Sequence, residues 1–328
     1  MYDNIKLANS NYKRRLINLN TKLTELLNIK YPIIQGAMAW ISESNLVSAV
    51  ANAGATGVIA CGGRSLEWIK TEIRRTKELT DKPFGVNIML MDQNKDAIVD
   101  AVCKEKVNFV TLGAGNPLPY FEKFHKAGIK TIPVVPNTKL AKRVEEAGAD
   151  AVIIEGMEAG GHIGKLTTMA LMTNVIPQIS IPVIPAGGIV DGRGIAAAIV
   201  MGAQGVQMES RFLLADECTL HPEAKQKIIE AKDTDSVVTG YSRGHGVRGL
   251  RNTFTDKYLE LEIQGASQES LNKLAVGTNR LAAIDGDTEN GLVQVGQSLN
   301  PLNEINPAKA IVQDLIKEAE LVLNRVKF

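Results

Sequence analysis

Ala151-Val152-Ile153-Ile154-Glu155-Gly156-Met157-Glu158-Ala159-Gly160-Gly161-His162-Ile163-Gly164-Lys165 changes character at Glu155. The residues before it are apolar and mostly β-branched, and read as a buried parallel strand. After it the chain turns small, acidic and glycine-rich, the composition of a loop that lets a ligand come close to backbone. Gly160, Gly161 and Gly164 flank His162 and have no side chain that could cover the imidazole. We read His162 as bared toward a ligand. The plainer alternative is that the glycines turn a corner and His162 caps a carbonyl.

Working outward, the same strand, glycine-rich end and helix recur along the chain. Strands are predicted at 31–34, 57–60, 84–89, 109–112, 131–135, 151–154, 183–186 and 205–208, with helices following the first seven near 43–53, 65–79, 94–105, 117–128, 138–147, 168–176 and 192–201. Eight such strands, with glycine concentrated after their ends, predict an α/β fold, a closed (β/α)₈ TIM barrel over residues 20–215. No GxGxxG follows the first strand, which weighs against a dinucleotide-binding open sheet. In a barrel all strand-end loops share one face, so Gln35 to Met38, Asn87, Gly113 to Asn116, Glu155 to Lys165, Gly187-Gly188 and Gln207 to Ser210 become neighbours. Gly187-Gly188 falls where such barrels commonly bind phosphate with backbone N–H groups; simple turn chemistry is the competing reading.

Past Arg211 the alternation stops. Residues 216–306 read as a smaller substrate or lid domain over the barrel mouth, with helices near 222–232 and 267–275 and a mobile segment around Asp285-Gly286-Asp287 and Gly291. Asp285 and Asp287 superficially resemble a calcium loop but lack the remaining ligand spacing, so no metal site is assigned. Residues 307–328 carry a helical apolar stripe through Ile311, Leu315, Ile316, Ala319 and Leu323 that should pack back on the barrel. Residues 1–19 read as a mobile leader or expression remnant, with a basic targeting peptide as the alternative.

Charge narrows the function classes. Lys+Arg 37 against Asp+Glu 36 gives no basic excess to suggest nucleic acid or an anionic membrane. No apolar run approaches the roughly 20 residues that span a bilayer, and the first nineteen residues lack a signal-peptide core. Cys61, Cys103 and Cys218 are isolated, which fits a reducing, cytoplasmic setting.

Taken together, several stretches resemble the flavin-dependent enoyl-acyl-carrier-protein reductases of type II, relatives of the nitronate monooxygenases (2-nitropropane dioxygenases). They are Tyr31-Pro32-Ile33-Ile34-Gln35-Gly36-Ala37-Met38-Ala39-Trp40, Asp81 to Leu90, Gly113-Ala114-Gly115-Asn116-Pro117, Glu155 to Thr168, Pro185 to Gly192, and Gly244-His245-Gly246-Val247-Arg248. The resemblance runs from about Asn20 to the C-terminus, and the segments Glu155 to Thr168 and Phe84 to Leu90 look like the reductase branch. It implies FMN over the barrel mouth, touched by Gly36, Ala37, Met38, Asn87, Glu155, Gly160, Gly161, Gly187, Gly188, Gln207, Met208, Glu209 and Ser210, with His162 near the reactive edge of the ring. It also implies NADH or NADPH as hydride donor, acyl carrier protein as the partner bearing the enoyl chain, and a monovalent cation. A homodimer is expected.

One departure stands out: the family usually has Gly-Thr after the eighth strand, where this chain has Glu209-Ser210. A carboxylate beside a phosphate dianion costs about 1 kcal/mol at solvent-like dielectric and several when less screened. Either Glu209 points to solvent and only its N–H serves, which is the favoured expectation, or the flavin binds more weakly here. The chemistry implied needs a hydride from the cofactor and a proton for the α-carbon, which His162 can donate near neutral pH. In a nitronate monooxygenase the same imidazole removes a proton from the nitroalkane, so histidine alone does not choose. A non-catalytic flavin- or phosphate-binding barrel is the third class.

Overall fold

Strand-forming runs of valine and isoleucine set the frame. In the computed structural model, which describes residues 19–325, eight parallel strands close into a barrel. In chain order the strands are β1 (Ile33–Gln35), β2 (Thr56–Ala60), β3 (Gly85–Met89), β4 (Phe109–Gly113), β5 (Lys130–Val135), β6 (Val152–Glu155), β7 (Gly161–His162), β8 (Val183–Ala186) and β9 (Val206–Met208). All but β7 belong to the barrel, and β1 pairs with both β2 and β9 to close it. The predicted (β/α)₈ barrel is therefore the fold, each predicted strand lying within two residues of an observed one. Of the stretch 1–19 read as a leader, residues 1–18 lie outside the described residues, and Leu19 is instead buried in the main apolar cluster, where its side chain leaves water.

Alternation along each strand divides the core. Ile34, Val58, Phe109, Ile132, Ile153 and Ile184 point into the barrel, where the short helix Lys22–Leu27 contributes Leu23 and Leu27 to the same cluster. Their neighbours Ile33, Ile59, Val86, Val110 and Val152 face outward against the helices. Helix starts are fixed by side-chain caps: Ser65 accepts from Trp68 N–H at 3.2 Å, Asn137 from Leu140 at 2.9 Å and Asp191 from Gly194 at 2.9 Å. The helix expected at 117–128 is instead a 3₁₀ turn, Leu118–Tyr120, then Phe121–Lys126.

Beyond the barrel the chain holds strands that the sequence reading lacked, β10 (Ser236–Thr239) and β11 (Val247–Leu250). They pair with each other, and β11 also pairs antiparallel with β7, opposing Val247 to His162 and Arg248 to Gly161. Helices Thr253–Ile263 and Thr278–Ala283 also lie in this part of the chain. Its Ala282, Ala283, Val293 and Val295 join the barrel's main apolar cluster, while Phe254, Tyr258, Leu271 and Leu292 form a small cluster of their own. The turn at Asp285 to Gly291 is tied down: Asp287 Oδ1 accepts from Glu289 and Asn290 N–H at 3.1 and 2.9 Å, and Arg280 bonds Asp285 at 2.8 Å.

The last helix, Ala308–Arg325, buries Ile311, Val312, Leu315, Ile316 and Ala319 and packs against the helix Gly192–Val200. Contact is close enough that a Cβ on Gly192 would lie 2.5 Å from Leu315 O and Ala319 N. Gly192 N–H donates to Glu318 Oε2 at 2.8 Å. Among the described residues no helix is long and apolar enough to cross a membrane, and no group of three or more His, Cys, Asp or Glu is placed to hold a metal ion.

Candidate active site

Parallel registry carries sequence-distant loops to one end of the barrel. Gln35 pairs with Met208, which sets Gly36, Ala37 and Met38 beside Glu209 and Ser210; Gly36 N–H donates to Met208 O at 3.0 Å. Glu155 pairs with Ala186, which sets Gly156 beside Gly187 and Gly188, and Gly156 N–H donates to Ala186 O at 3.0 Å. Asn87 sits on β3, its amide donating to Thr111 Oγ1 at 2.9 Å.

Six of the predicted site residues line two neighbouring spaces, while Gly36, Asn87, Glu155, Gly161, Gly187, Gly188, Gln207 and Met208 line neither. Ala37, Met38, Gly160, Glu209 and Ser210 line a small cavity of about 70 Å³ together with Val293, Gln294 and Val295. His162 lines a larger one of about 410 Å³, whose wall includes Trp40, His245, Phe254, Tyr258 and Arg280. Asn279, Leu292 and Gln294 border both spaces, so they adjoin. Met208 turns its side chain into the apolar core and offers only backbone to the mouth.

The glycine loop is more ordered than a bare turn. Its Gly161 (φ +75°) and His162 form β7, and Ile163 N–H donates to Gly246 O at 3.0 Å. Arg248, 4 % exposed, donates through Nε to Met157 O at 3.1 Å and through Nη1 to Ser236 Oγ at 3.0 Å, clamping loop to hairpin. His162 keeps an exposed edge, while burial of the ring, and then the charge of His245, hold its imidazole below the usual 6.5.

Charge at the mouth is acidic. Glu209 does not point to solvent as expected: Gln207 Nε2 donates to its Oε1 at 2.7 Å, and a Cβ on Gly36 would overlap that oxygen. The Gln207 amide and the close Gly36 backbone hold the side chain inward over the loop after β1. Burial pushes the Glu209 carboxyl up to about 7, and burial plus the Glu209 charge pushes Glu155 up to about 8.

Sequence reasoning missed the segment that closes the site. Gly296 N–H donates to Ser210 Oγ at 2.9 Å, Gln297 N–H to Glu158 O at 2.9 Å, and Ser298 Oγ to Gly188 O at 2.8 Å, so Gly296-Gln297-Ser298 stitches three strand-end loops together. The signal was present as Gly-Gln-Ser directly after the alternating Leu292-Val293-Gln294-Val295. Glu158 was likewise missed. Its carboxylate accepts Thr168 N–H at 2.8 Å and Thr168 Oγ1 at 3.0 Å, at the positive end of the helix Thr168–Val175.

Gly187 (φ +94°) and Gly188 (φ +75°) are in the left-handed region, and the Gly188 N–H donates to no acceptor among the described residues. With the start of the helix Ser210–Leu213 bridged to this loop by residues 296–298, the donor set suits an anion such as a flavin phosphate.

Fold and site define the class: a (β/α)₈ barrel carrying its polar and titratable groups at the carboxyl ends of the strands. Within that class the chain belongs to the nitronate monooxygenase family of oxidoreductases, whose family model matches residues 20–101 and 91–318. It is 34% identical to a probable nitronate monooxygenase of Staphylococcus saprophyticus over 94% of this chain and 100% of that protein. It is 30% identical to the (3aS,4S,5R,7aS)-5-hydroxy-7a-methyl-1-oxo-octahydro-1H-indene-4-carboxyl-CoA dehydrogenase of Rhodococcus jostii, over 92% of this chain and 96% of that one. Among solved structures it is similar to FabK from Thermotoga maritima, with a TM-score of 0.91 and 44% identity over 94% of this chain and 98% of that chain.

Proposed function

We propose that the chain is an FMN-dependent reductase of trans-2-enoyl thioesters carried on acyl carrier protein, with NADH or NADPH as reductant. The observation that carries this reading is the cavity of about 410 Å³ beside His162, walled by Trp40, Phe254, Tyr258 and Leu292. A small nitronate needs no such chamber; an acyl thioester and its pantetheine arm do. The 44% identity to FabK supports the same branch, and so does a relative whose name carries a carboxyl-CoA thioester.

In this reading the backbone at Gly187-Gly188 and the start of the helix at Ser210 hold the FMN phosphate. Gly36, Ala37, Met38, Asn87, Glu155, Gly160, Gly161, Gln207, Met208 and Glu209 surround the rest of the cofactor. FMN held by these residues would supply the hydride chemistry that links a reduced nicotinamide to the thioester β-carbon. His162 gives the balancing proton to the α-carbon, so one reduced nicotinamide and one proton become oxidised nicotinamide and a saturated thioester. The low imidazole pKa is offset in the reaction, because negative charge developing on the thioester favours the imidazolium. Residues 216–306, which supply most of the larger cavity's wall, serve as the substrate-side domain.

One observation favours the second reading, nitronate oxidation by O₂. A depressed imidazole is neutral at pH 7 and better suited to accept a proton than to donate one, as the named function of the Staphylococcus relative would require. NADH oxidation with crotonyl thioester under nitrogen, against oxygen uptake with an alkyl nitronate and no NADH, separates the two. The proposal predicts thioester-dependent turnover, and turnover with nitronate alone would overturn it.

A further inference from the structure

Among the described residues Glu209 is the single charged one lining the small cavity at the mouth of the barrel, and it stands where the family resemblance implies glycine. Its carboxylate is half-buried and, among the described residues, has no ion pair. Gln207 Nε2 supplies its one hydrogen bond, at 2.7 Å, and the oxygen that accepts it lies so close over Gly36 that a methyl group there would overlap it. The titratable group facing it is Glu155, from the end of β6, which adds like charge. The other elements around it bring only uncharged residues: Ala37 and Met38 after β1, Gly160 from the glycine loop, Ser210 from the helix behind it, and Gln294 and Val295 from the closing segment. The space left beside the carboxylate is about 70 Å³, well short of the roughly 300 Å³ or more that cofactor-sized pockets hold.

We propose that Glu209 is a proton-linked gate on the flavin cradle: its ionised carboxylate occupies and charges the space beside Gly36, and the cofactor seats once that carboxylate is protonated and turns aside. This rests on the flavin reading given above. The physical reason is that an ionised carboxylate enclosed without a cation is disfavoured, and closing a flavin over it removes the remaining water. A neutral carboxyl makes no such demand, and as a donor it can turn to a carbonyl of the mouth. Its upward-shifted titration, to about 7, places the transition at physiological pH. If flavin binding takes up one proton, affinity is constant on the acid side and falls about tenfold per pH unit above the transition.

The test is the dissociation constant of riboflavin and of FMN, read from quenching of flavin fluorescence between pH 5.5 and 9, for the full chain and for Glu209→Gln, Glu209→Gly and Glu155→Gln. Riboflavin has no phosphate, so its slope excludes titration of the phosphate itself. The wild-type chain should weaken for both ligands about tenfold per unit above neutrality, while Glu209→Gln and Glu209→Gly bind tightly with no slope. Recovery in Glu209→Gly but not in the isosteric Glu209→Gln would mean that bulk, not charge, closes the cradle, and would overturn the proposal. So would a slope that persists in both Glu209 variants, or one abolished by Glu155→Gln alone. Enoyl-thioester turnover is scored separately on the flavin-loaded proteins, so failure of the reductase reading leaves these binding slopes standing.

Discussion

His162 gains its chemistry from what surrounds it. The antiparallel register that opposes it to Val247 also brings the turn carrying His245 to the same cavity, and the two imidazoles repel when charged. Replacing His162 by Ala should retain flavin yet lower kcat on the order of 10² to 10⁴, the usual reach of general acid catalysis; loss of flavin, or near-normal kcat, would show that it does no proton chemistry. The pH dependence follows from the direction of its shift. A donor must be protonated, so turnover falls as pH rises through the depressed pKa, below 6.5. Removing the His245 charge by His245→Ala should move that midpoint upward, and a profile unmoved or shifted down would contradict the coupling. At this scale the glycines exposed His162 in the sequence itself. Glu209 was misjudged because its direction is set by Gln207 and by the backbone of Gly36, contacts that no local pattern encodes.

Among the elements, the three-stranded sheet holds the site together across the chain. β7 is only Gly161–His162 and persists through β11 and the Arg248 clamp. Arg248→Met should remove both clamp bonds, leave the Met157 carbonyl without its donor and cost about 1–3 kcal/mol, read as a lower urea midpoint; an unchanged midpoint would show the clamp to be dispensable. The Gly187-Gly188 turn, proposed to hold the flavin phosphate, offers a second test. Gly188 has φ +75°, and a Cβ there would lie 3.2 Å from Glu158 Cβ, so Gly188→Asp adds strain and a carboxylate where an anion is to sit. FMN should be lost from this variant, whereas full FMN stoichiometry would place the phosphate elsewhere. The barrel strands were legible because each is a short apolar run, and most are followed by glycine at Gly36, Gly62-Gly63, Gly113, Gly156 or Gly187-Gly188. β10 and β11 were not, since Ser236-Val237-Val238-Thr239 and Val247-Arg248-Gly249-Leu250 lack that punctuation and find their third strand far back in the chain.

For the whole molecule, the barrel is built from successive strand pairs, closed by β1 against β9, and finished by residues 296–298 across the mouth and the helix Ala308–Arg325 along the side. That helix is part of the core, so Leu315→Ala, at a side chain only 4 % exposed against the helix Gly192–Val200, should cost about 2–5 kcal/mol; calorimetry showing an unchanged Tm would mean it packs loosely. The helix was legible from its apolar period. The closing segment was not, because its hydrogen bonds run to backbone and side chains contributed by three separate loops. The central claim, that this mouth reduces an enoyl thioester, is tested most directly by anaerobic stopped flow on the FMN-loaded chain. After NADH bleaches the flavin, crotonyl thioester should restore its absorbance without oxygen and yield butyryl thioester in equal amount. A flavin that stays reduced with the thioester would contradict the account.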